Sequence, residues 1–489
     1  MPTAAPLLSI DINRRAREPL HRQLYIALTK LILSGRLQPG MQLPATRVLA
    51  NDLGVARNTV LTAYQQLHAE GYLEGRVGSG SFVPITLPEV VRKNKVRTTN
   101  TTAPTALRTS GRGEALASLA RNRAKPHIAF VPGLPALDKF PYALWSGLLA
   151  KTWRRPPSTL TLLGDGAGWL PLREAIAQHL GLARGLNCSA DQIVVVSGLQ
   201  HAIGLIAQAL TNRGDQALIE DPGYAGIRNA LMVAGLKLRY RPVDDEGLII
   251  ASAPPARLVC VAPARHYPLG ITMSLSRRLA VLEWARRHDA VVVEDDYDSE
   301  FRYAGHPLAT LQSLDREGRV IFVGSFSKTL FPGLRIGYLV VPESLIDIFR
   351  RLALVIGDHP PATAQPALAA FIADGHFTRH LRRMRRLYEG RQKSLVAAAN
   401  RYLSNMLTPQ MQDAGMHVVA EISPRFLRKQ SDKVISERAT DAGLSVPALS
   451  VHYIKAPPRQ GLLMGYAALS ELEMDSAVTR LAKVIKSFS

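Results

Sequence analysis

Residues 324–342 read GSFSKTLFPGLRIGYLVVP and follow the apolar run Val320–Val323. The run predicts a buried β-strand, and Ser325 to Lys328 form the turn at its carboxyl end. Lysine is scarce here, because Lys237 and Lys328 are the only lysines between positions 151 and 393. A lysine amine can form a Schiff base with an aldehyde, which a permanently protonated guanidinium cannot do. Lys328 is therefore a candidate aldehyde-binding group, although such a motif taken alone more often marks a surface lysine.

The residues around Lys328 favour an anionic ligand. Ser325 and Ser327 supply hydroxyl groups for a phosphate, and Arg335 supplies a planar cation for the same group. The turn is therefore suited to an aldehyde cofactor that also carries a phosphate.

The sequence from about Pro126 to Ser489 alternates short apolar runs with helical periodicity. This alternation predicts an α/β fold with a largely parallel sheet. Ligands of such sheets bind at the carboxyl ends of the strands, and four polar clusters lie at those ends. The predicted strands are Ile193–Val196, Ala217–Glu220, Leu258–Val261, Val291–Glu294 and Val320–Val323, and the predicted helices include Arg173–Leu182 and Ser276–Arg287.

The second polar cluster is EDDYD at positions 294–298. A carboxylate that faces a pyridine nitrogen keeps the ring protonated and makes it an electron sink. A tyrosine two residues further on can hydrogen-bond the phenolic oxygen of the same ring. Clustered acids also form Mg²⁺ or Ca²⁺ sites, and the residues alone leave that alternative open.

Two weaker clusters complete the set. SGLQH at positions 197–201 opens a helix after a strand, and exposed amides at a helix start bind phosphate. EDPGY at positions 220–224 is a strand-end turn that brings a tyrosine towards the same edge of the sheet.

The first 83 residues predict a separate compact unit. Leu20–Leu33 is an amphipathic helix, and Thr46 caps a short helix, Arg47–Leu53, that Gly54 closes. A third helix begins at Ala56 or Asn58. Two short helices joined by a glycine turn form a helix-turn-helix, and the alternating stretch from Gly71 to Val83 predicts a two-stranded wing.

The start of the third helix carries polar side chains suited to DNA. In a helix-turn-helix this part of the helix enters the major groove, where Arg57, Asn58 and Thr59 offer donors and acceptors to bases and phosphates. Arg47 begins the preceding helix and is placed to contact the phosphate backbone. The alternative is that these residues only form a solvated helix face.

Positions 84–125 differ from the sequence on either side. Thr, Asn, Pro and Arg dominate, as in VRKNKVRTTNTTAPTALRTSGRGE, with little hydrophobic periodicity. This composition predicts a flexible basic linker that is extended by its own charge. A packed helix is the alternative, and Glu114–Ala120 is its best segment.

Composition excludes several classes of protein. The 489 residues suffice for two or three domains, and a hydrophobic fraction of 47% excludes a wholly disordered chain. No apolar run approaches the ~18 residues of a membrane span, and the first 19 residues lack a signal-peptide core. Two cysteines, Cys188 and Cys260, are typical of a reducing compartment, so we expect a cytoplasmic protein. The net charge of +21 favours a polyanionic partner.

Two longer strings carry a family resemblance. LPATRVLANDLGVARNTVLTAYQQLHAEGYLEGRVGSGSFV closely resembles the winged helix of the GntR superfamily of bacterial regulators, over about residues 18–83. EDPGY, EDDYDSEFRY and GSFSKTLFPGLRIGYLVVP, in this order, resemble the fold-type I aminotransferases. The combination resembles the MocR-type pyridoxal phosphate-dependent transcription factors. It implies a multidomain chain with a winged helix-turn-helix (1–83), a linker (84–125) and an α/β aminotransferase-like domain (126–489).

The resemblance implies roles for individual residues. Lys328 would carry pyridoxal phosphate as an internal aldimine, Asp295 would face the pyridine nitrogen and Tyr297 the ring hydroxyl. The phosphate would be bound by Arg335, Ser325, Ser327 and the amides of Leu199 and Gln200, with Tyr224 beside the cofactor. The family also implies a double-stranded DNA operator and a homodimer whose aminotransferase-like domains pair head-to-tail.

The chain departs from the aminotransferase pattern at several positions. Tyr267 occupies the place of an asparagine that tunes the ring hydroxyl, and Arg265 and His266 precede it, with consequences for effector contacts. The strand Gly461–Tyr466 offers no arginine for a substrate carboxylate. Leu163 stands where the aminotransferases usually have a tyrosine that contacts the phosphate bound by the partner subunit. These losses argue against efficient transamination.

Three functions remain to be weighed. The favoured one is a regulator that senses pyridoxal phosphate itself, or an amine or amino acid held by Arg265 or Arg459, and relays this to its winged helices. The second is an active aminotransferase with an accessory DNA-binding segment. The third is a DNA-binding protein whose enzyme-like domain serves only to dimerise.

Overall fold

The computed structural model describes residues 10–16, 18–76, 80–85, 107–120, 128–162, 164–305, 309–357, 360–427 and 430–488. The chain divides into two compact units, one ending at Thr109 and the other beginning at Ser110. None of the described helices is both long and apolar enough to cross a membrane.

The described part of the first unit contains the helices α1 (Leu20–Leu33), α2 (Thr46–Asp52) and α3 (Arg57–Ala69). The apolar stripes predicted on α1 and α3 are buried and form the core of the unit. Gly54 adopts a positive φ of 62° between α2 and α3, which allows the tight turn of a helix-turn-helix. The predicted cap of α2 is wrong by one residue. Ala45 precedes the helix, and no side chain caps it.

The predicted wing is an antiparallel hairpin of β1 (Glu74–Arg76) and β2 (Gly80–Phe82). The His68 side chain joins it to α3, because its ring nitrogens lie 3.1 Å from the Leu73 carbonyl oxygen and 2.9 Å from Ser81 Oγ. The orientation of the wing on α3 is therefore fixed by hydrogen bonds as well as by apolar packing.

The prediction of a flexible linker over 84–125 needs correction at its C-terminal end. Residues Gly111–Ala117 form a helix, α4, whose N-terminus is capped by the Ser110 hydroxyl. Arg112 donates a hydrogen bond of 2.7 Å to the Val233 carbonyl oxygen, so this segment is tied to the rest of the second unit. The helix has no buried residue, and its capped N-terminus favours it over an extended chain. Positions 86–106 and 121–127 of the predicted linker lie outside the described residues.

The second unit combines two sheets with many helices. Its further helices are α5 (Tyr142–Arg154), α6 (Ser158–Thr161), α7 (Leu170–Arg184), α8 (Leu199–Leu210), α9 (Ala225–Ala234), α10 (Leu275–Arg287), α11 (Leu311–Leu314), α12 (Phe326–Thr329), α13 (Ile346–Ile356), α14 (Gln365–Ala373), α15 (His376–Tyr402), α16 (Pro424–Leu427), α17 (Asp432–Asp441) and α18 (Glu471–Lys486). Its strands are β3 (Ile193–Val196), β4 (Gln216–Asp221), β5 (Lys237–Asp244), β6 (Gly247–Leu248), β7 (Leu258–Val261), β8 (Val291–Asp296), β9 (Val320–Ser325), β10 (Gly337–Val340), β11 (Leu407–Pro409), β12 (His417–Ile422) and β13 (Gly461–Gly465).

The larger sheet has the order β3-β10-β9-β8-β7-β4-β5-β6 in the described residues. Strands β9, β8, β7, β4 and β5 run parallel, which confirms the predicted α/β class, while β10 runs antiparallel to both of its neighbours. The central strands are buried almost throughout, because helices cover both faces of the sheet. The polar clusters after β8 and β9 therefore meet at one edge.

A smaller antiparallel sheet, β11-β12-β13, lies in the C-terminal part of the unit. The long helix α15 packs against α18 and belongs to the same apolar core as this sheet. The sheet matters for function because β12 begins at His417, whose side chain reaches the cavity described next.

Candidate functional site

A cavity of about 330 Å³ opens at the carboxyl ends of β8 and β9. The nine residues predicted to hold a cofactor all line this cavity, although they come from four separate segments of sequence. They are Leu199, Gln200, Tyr224, Asp295, Tyr297, Ser325, Ser327, Lys328 and Arg335. The prediction that the strand-end clusters share one site therefore agrees with their placement.

Lys328 lies on the short helix α12, directly after β9. Its Nζ donates a hydrogen bond of 3.0 Å to the Gly133 carbonyl oxygen across the cavity. Burial lowers the pKa of the amine, and the carboxylates of Asp298 and Asp295 oppose that shift. A lowered pKa increases the fraction of neutral amine, which is the nucleophilic form.

One end of the cavity is built for an anion. Gly198 precedes α8 with a φ of 123°, and the amides that open a helix have no intrahelical acceptor. The Arg335 guanidinium lies beside this start, since a Cβ on Gly198 would be 3.7 Å from its Nη1. Ser325 and Ser327 add side-chain hydroxyl groups to the lining of the same cavity. A phosphate fits this combination of amides, hydroxyls and a cation.

The other end of the cavity presents a buried carboxylate. Asp295 is 6% exposed, and among the described residues none donates a hydrogen bond to its side chain. Its pKa is raised from 3.8 to about 8, first by burial and then by the charges of Asp296 and Asp298, while the charge of Lys328 opposes the shift. A cationic N–H partner would offset that cost of ionisation. The residues present therefore fit pyridoxal phosphate, which combines an aldehyde, a phosphate and a protonatable ring nitrogen.

Replacing Asp295 by asparagine is expected to stabilise the cofactor-free protein while weakening its affinity for pyridoxal phosphate. An acid whose pKa is raised in the folded state loses stability as pH rises from its unfolded value towards its folded one. The gain in the thermal midpoint of Asp295→Asn should therefore grow between about pH 4 and about pH 8 and level off above that range. Differential scanning fluorimetry across this range measures it.

The matched control for this experiment is Asp432→Asn. Asp432 is also buried, but its carboxylate accepts hydrogen bonds from the Ser450 hydroxyl and amide and from the Gly461 amide. That substitution should lower the thermal midpoint. If Asp295→Asn loses stability in the same way, the carboxylate is a structural anchor and not a group held for a ligand.

Neither of the two arginines proposed as effector clamps faces the cavity. Arg459 is about half exposed and pairs with Glu421 at 2.9 Å. Arg265 is 2% exposed and pairs with Asp298 at 3.1 Å. His266 is buried as well, with Nε2 3.0 Å from the Pro222 carbonyl oxygen. The expectation that Arg265 and His266 change effector contacts directly is therefore not supported by their positions.

Other lining residues escaped the sequence prediction. His417, Pro132 and Gly133 reach the cavity from the C-terminal sheet and from the segment before α5. His417 and Gly133 stand outside any motif, so only the tertiary fold could reveal them. The acidic cluster does not form a metal site with its neighbours, since the described residues contain no group of three or more potential ligands. Leu163 lies outside the described residues.

The helix-turn-helix presents the predicted DNA contacts at its surface. Arg47 near the start of α2 and both Arg57 and Asn58 at the start of α3 are exposed, while Thr59 is half-buried. Sequence reasoning missed Arg14, which donates to the Gly54 carbonyl oxygen at 2.5 Å and braces the turn between the two helices. A partly buried Thr59 is better suited to a phosphate contact than to deep base readout.

Fold and site together define a protein with a helix-turn-helix unit and an aminotransferase-type unit. Residues 20–83 match the family model "Bacterial regulatory proteins, gntR family", and residues 151–481 match "Aminotransferase class I and II". The chain belongs to the MocR-type transcriptional regulators of the GntR superfamily. The GntR helix-turn-helix implies DNA binding, and aminotransferases of class I and II depend on pyridoxal phosphate.

Both transcriptional regulators and an aminotransferase structure are similar to this chain. The chain is 43% identical to the probable rhizopine catabolism regulatory protein MocR of Rhizobium meliloti, over 96% of this chain and 94% of that protein. It is 30% identical to the pyridoxine biosynthesis transcriptional regulator PdxR of Corynebacterium glutamicum, over 95% of each. A kynurenine aminotransferase structure from Pyrococcus horikoshii matches with a TM-score of 0.66 and 26% identity, covering 78% of this chain and 95% of that one.

Proposed function

We propose that this chain is a cytoplasmic DNA-binding regulator whose aminotransferase-type unit binds pyridoxal phosphate at Lys328 and alters DNA binding according to what occupies the cavity. One observation carries the proposal. One cavity brings together the Lys328 amine, a helix start with Arg335 beside it, and the buried Asp295 carboxylate, to which no described residue donates a hydrogen bond. A unit kept only for dimerisation needs none of these groups.

Each predicted site residue has a role in this proposal. The cofactor supplies an aldehyde that condenses with an amine and a ring that withdraws electrons. Lys328 presents a neutral amine, and Asp295 holds the proton of a ring nitrogen. Arg335, Ser325 and Ser327 hold the phosphate with the amides of Leu199 and Gln200, Tyr297 donates to the ring hydroxyl, and Tyr224 packs beside the ring.

The charge of the cavity narrows the class of effector. Among the described residues that line the cavity, Lys328 and Arg335 carry the amine and guanidinium groups, and the proposed cofactor engages both. His417 also lines the cavity, but burial and then the charge of Arg265 lower its pKa well below 6.5, so it stays neutral. An effector carboxylate would have no cationic partner there. We therefore propose pyridoxal phosphate itself, or an amine that lacks a carboxylate, as the effector.

The names of the relatives are compatible with either choice. One relative is named for rhizopine catabolism and another for pyridoxine biosynthesis, so regulators of this architecture serve different metabolites. The choice between pyridoxal phosphate and an amine as the effector of this chain therefore depends on the residues of its cavity, since the family includes regulators for different metabolites.

Pairs of compounds that differ only by a carboxylate test the effector class. Ethanolamine and serine form one pair, and tyramine and tyrosine form another. The amine of each pair should change the visible absorption of the loaded protein at a concentration at least tenfold lower than the amino acid. The reason is that an unpaired buried carboxylate costs at least ~1–3 kcal/mol. Amino acids that act at the lower concentration would contradict this class.

A homodimer is part of the same proposal. A single winged helix reads one half-site, so a bipartite operator requires two copies. The second unit also exposes large apolar side chains, among them Leu162 at 71% and Val355 at 82%, which a second copy could cover. The head-to-tail arrangement that the family implies remains part of the proposal, and light scattering of the purified protein tests the number of subunits.

A further inference from the structure

Arg265 is a buried charge directly behind the cavity. It follows β7 and is 2% exposed, and its guanidinium pairs with Asp298 at 3.1 Å. The same group donates hydrogen bonds of 2.8 Å to the His417 carbonyl oxygen and 3.2 Å to the Tyr297 hydroxyl. A buried guanidinium that contacts a cavity-lining hydroxyl acts on whatever that hydroxyl binds.

The contact with Arg265 fixes the role of the Tyr297 hydroxyl. A guanidinium has donors but no acceptor, so the Tyr297 oxygen must accept from Arg265. Burial raises the pKa of Tyr297 well above 10, and the charge of Asp298 adds to the shift, so the phenol keeps its own hydrogen. That hydrogen is available to a ligand in the cavity, which Tyr297 lines.

Tyr297 has an aromatic neighbour as well as a charged one. Tyr267, which also lines the cavity, packs edge-on to Tyr297 with ring centroids 6.3 Å apart. Arg265 brings a full positive charge to the hydroxyl of the same Tyr297.

We propose that Arg265 is a positioning residue that acts through Tyr297 on the ring hydroxyl of the cofactor, and that the Arg265–Asp298 pair sets the pH at which the visible absorption of the bound cofactor changes. This inference rests on the proposed binding of pyridoxal phosphate. A positive charge near the ring oxygen favours loss of a proton from the chromophore, and Asp298 partly cancels that charge.

The charged and titratable groups around the pair come from several elements. Among the described residues they are Asp295, Asp296, Asp298, Lys328, His417, Tyr267, Tyr303 and Tyr466. Burial keeps Tyr303, Tyr466 and His417 neutral near pH 7. Burial raises the pKa of Asp298 to about 6 despite Arg265, so this carboxylate is ionised above that pH. The charge around Tyr297 above pH 6 is therefore the sum of Arg265, Lys328 and the carboxylates of Asp295, Asp296 and Asp298, and the Arg265–Asp298 pair is the part of it nearest to the Tyr297 hydroxyl.

Two single substitutions should shift the pH at which the visible absorption changes, and they should shift it in opposite directions. Arg265→Met removes the positive charge, so the transition should move to higher pH by on the order of one unit. Asp298→Asn removes the cancelling negative charge, so it should move to lower pH by a similar amount. The double variant should return close to the wild-type value. If Arg265 and Asp298 had only a structural role, the two substitutions would not shift the pH of the transition in opposite directions.

The experiment uses the full chain loaded with pyridoxal phosphate, with visible spectra recorded across pH. Arg173→Met is the matched control, because Arg173 is 3% exposed and pairs with Asp165 at 2.8 Å but does not line the cavity. Its transition should match wild type. If Arg265→Met fails to fold, Asp298→Asn decides alone, since an unchanged or raised transition overturns the inference. Loaded variants that all titrate like wild type also overturn it, whereas a wild-type protein that takes up no cofactor refutes the proposed function instead.

Discussion

Lys328→Ala is expected to abolish covalent attachment of pyridoxal phosphate and, with it, the response of DNA binding to the cofactor. Alanine has no amine to condense with the aldehyde, so only the phosphate and ring contacts remain. Cofactor affinity should fall at least tenfold, and the absorption band of the Schiff base should be replaced by that of the free aldehyde. DNA affinity measured by fluorescence anisotropy should then be the same with and without added cofactor.

Lys237→Ala is the matched control for that variant. Lys237 is the other lysine of this region, and it is exposed at the start of β5, outside the cavity. It should behave as wild type in spectrum and in DNA binding. A Lys328→Ala protein that still responds to the cofactor would show that the aminotransferase-type unit works through something other than the lysine.

Substitutions at the start of α3 should have the largest effect on DNA affinity. Arg57→Ala should weaken operator binding by ~1–3 kcal/mol, a factor of about 5 to about 150, because a bidentate contact to a base is lost. Asn58→Ala should relax discrimination at one base position. Arg47→Ala should weaken binding to all DNA sequences about equally. It should also reduce the slope of log affinity against log salt concentration by about one.

Arg22→Ala is the control for these three substitutions. Arg22 is an exposed arginine of α1 that pairs with Glu18, away from the starts of α2 and α3. Its loss should leave operator affinity within a factor of about two. Equal affinities for Arg57→Ala and wild type would place the DNA-contacting face elsewhere on the unit.

Most of the site could be predicted from sequence because its residues stand where apolar runs end. The strand Val320–Val323 is buried, and the chain must turn where its polar residues begin. The same is true at the end of β8, so Asp295 and Lys328 could be assigned to one edge of the sheet. The helix-turn-helix was predictable for a similar reason, since its glycine turn and apolar stripes are local patterns.

What sequence could not predict depends on contacts between distant segments. His417 reaches the cavity from β12, 82 residues beyond Arg335 in the last of the predicted site motifs. The place of Arg265 before the Tyr267-Pro turn predicts an effector contact, yet the ion pair with Asp298 and the hydrogen bond to the His417 carbonyl oxygen stabilise it in a buried position. The antiparallel strand β10 and the helix α4 likewise depend on partners that local composition does not reveal.

The central claim is that occupancy of the cavity sets DNA affinity. The most direct test titrates the wild-type protein against its own upstream DNA in three states: cofactor-free, loaded with pyridoxal phosphate, and loaded in the presence of an amine. The visible spectrum of each sample reports its state. We expect at least one loaded state to differ from the cofactor-free state by about fivefold or more in affinity. One common affinity for all three states, in samples whose spectra show loading, would contradict the claim.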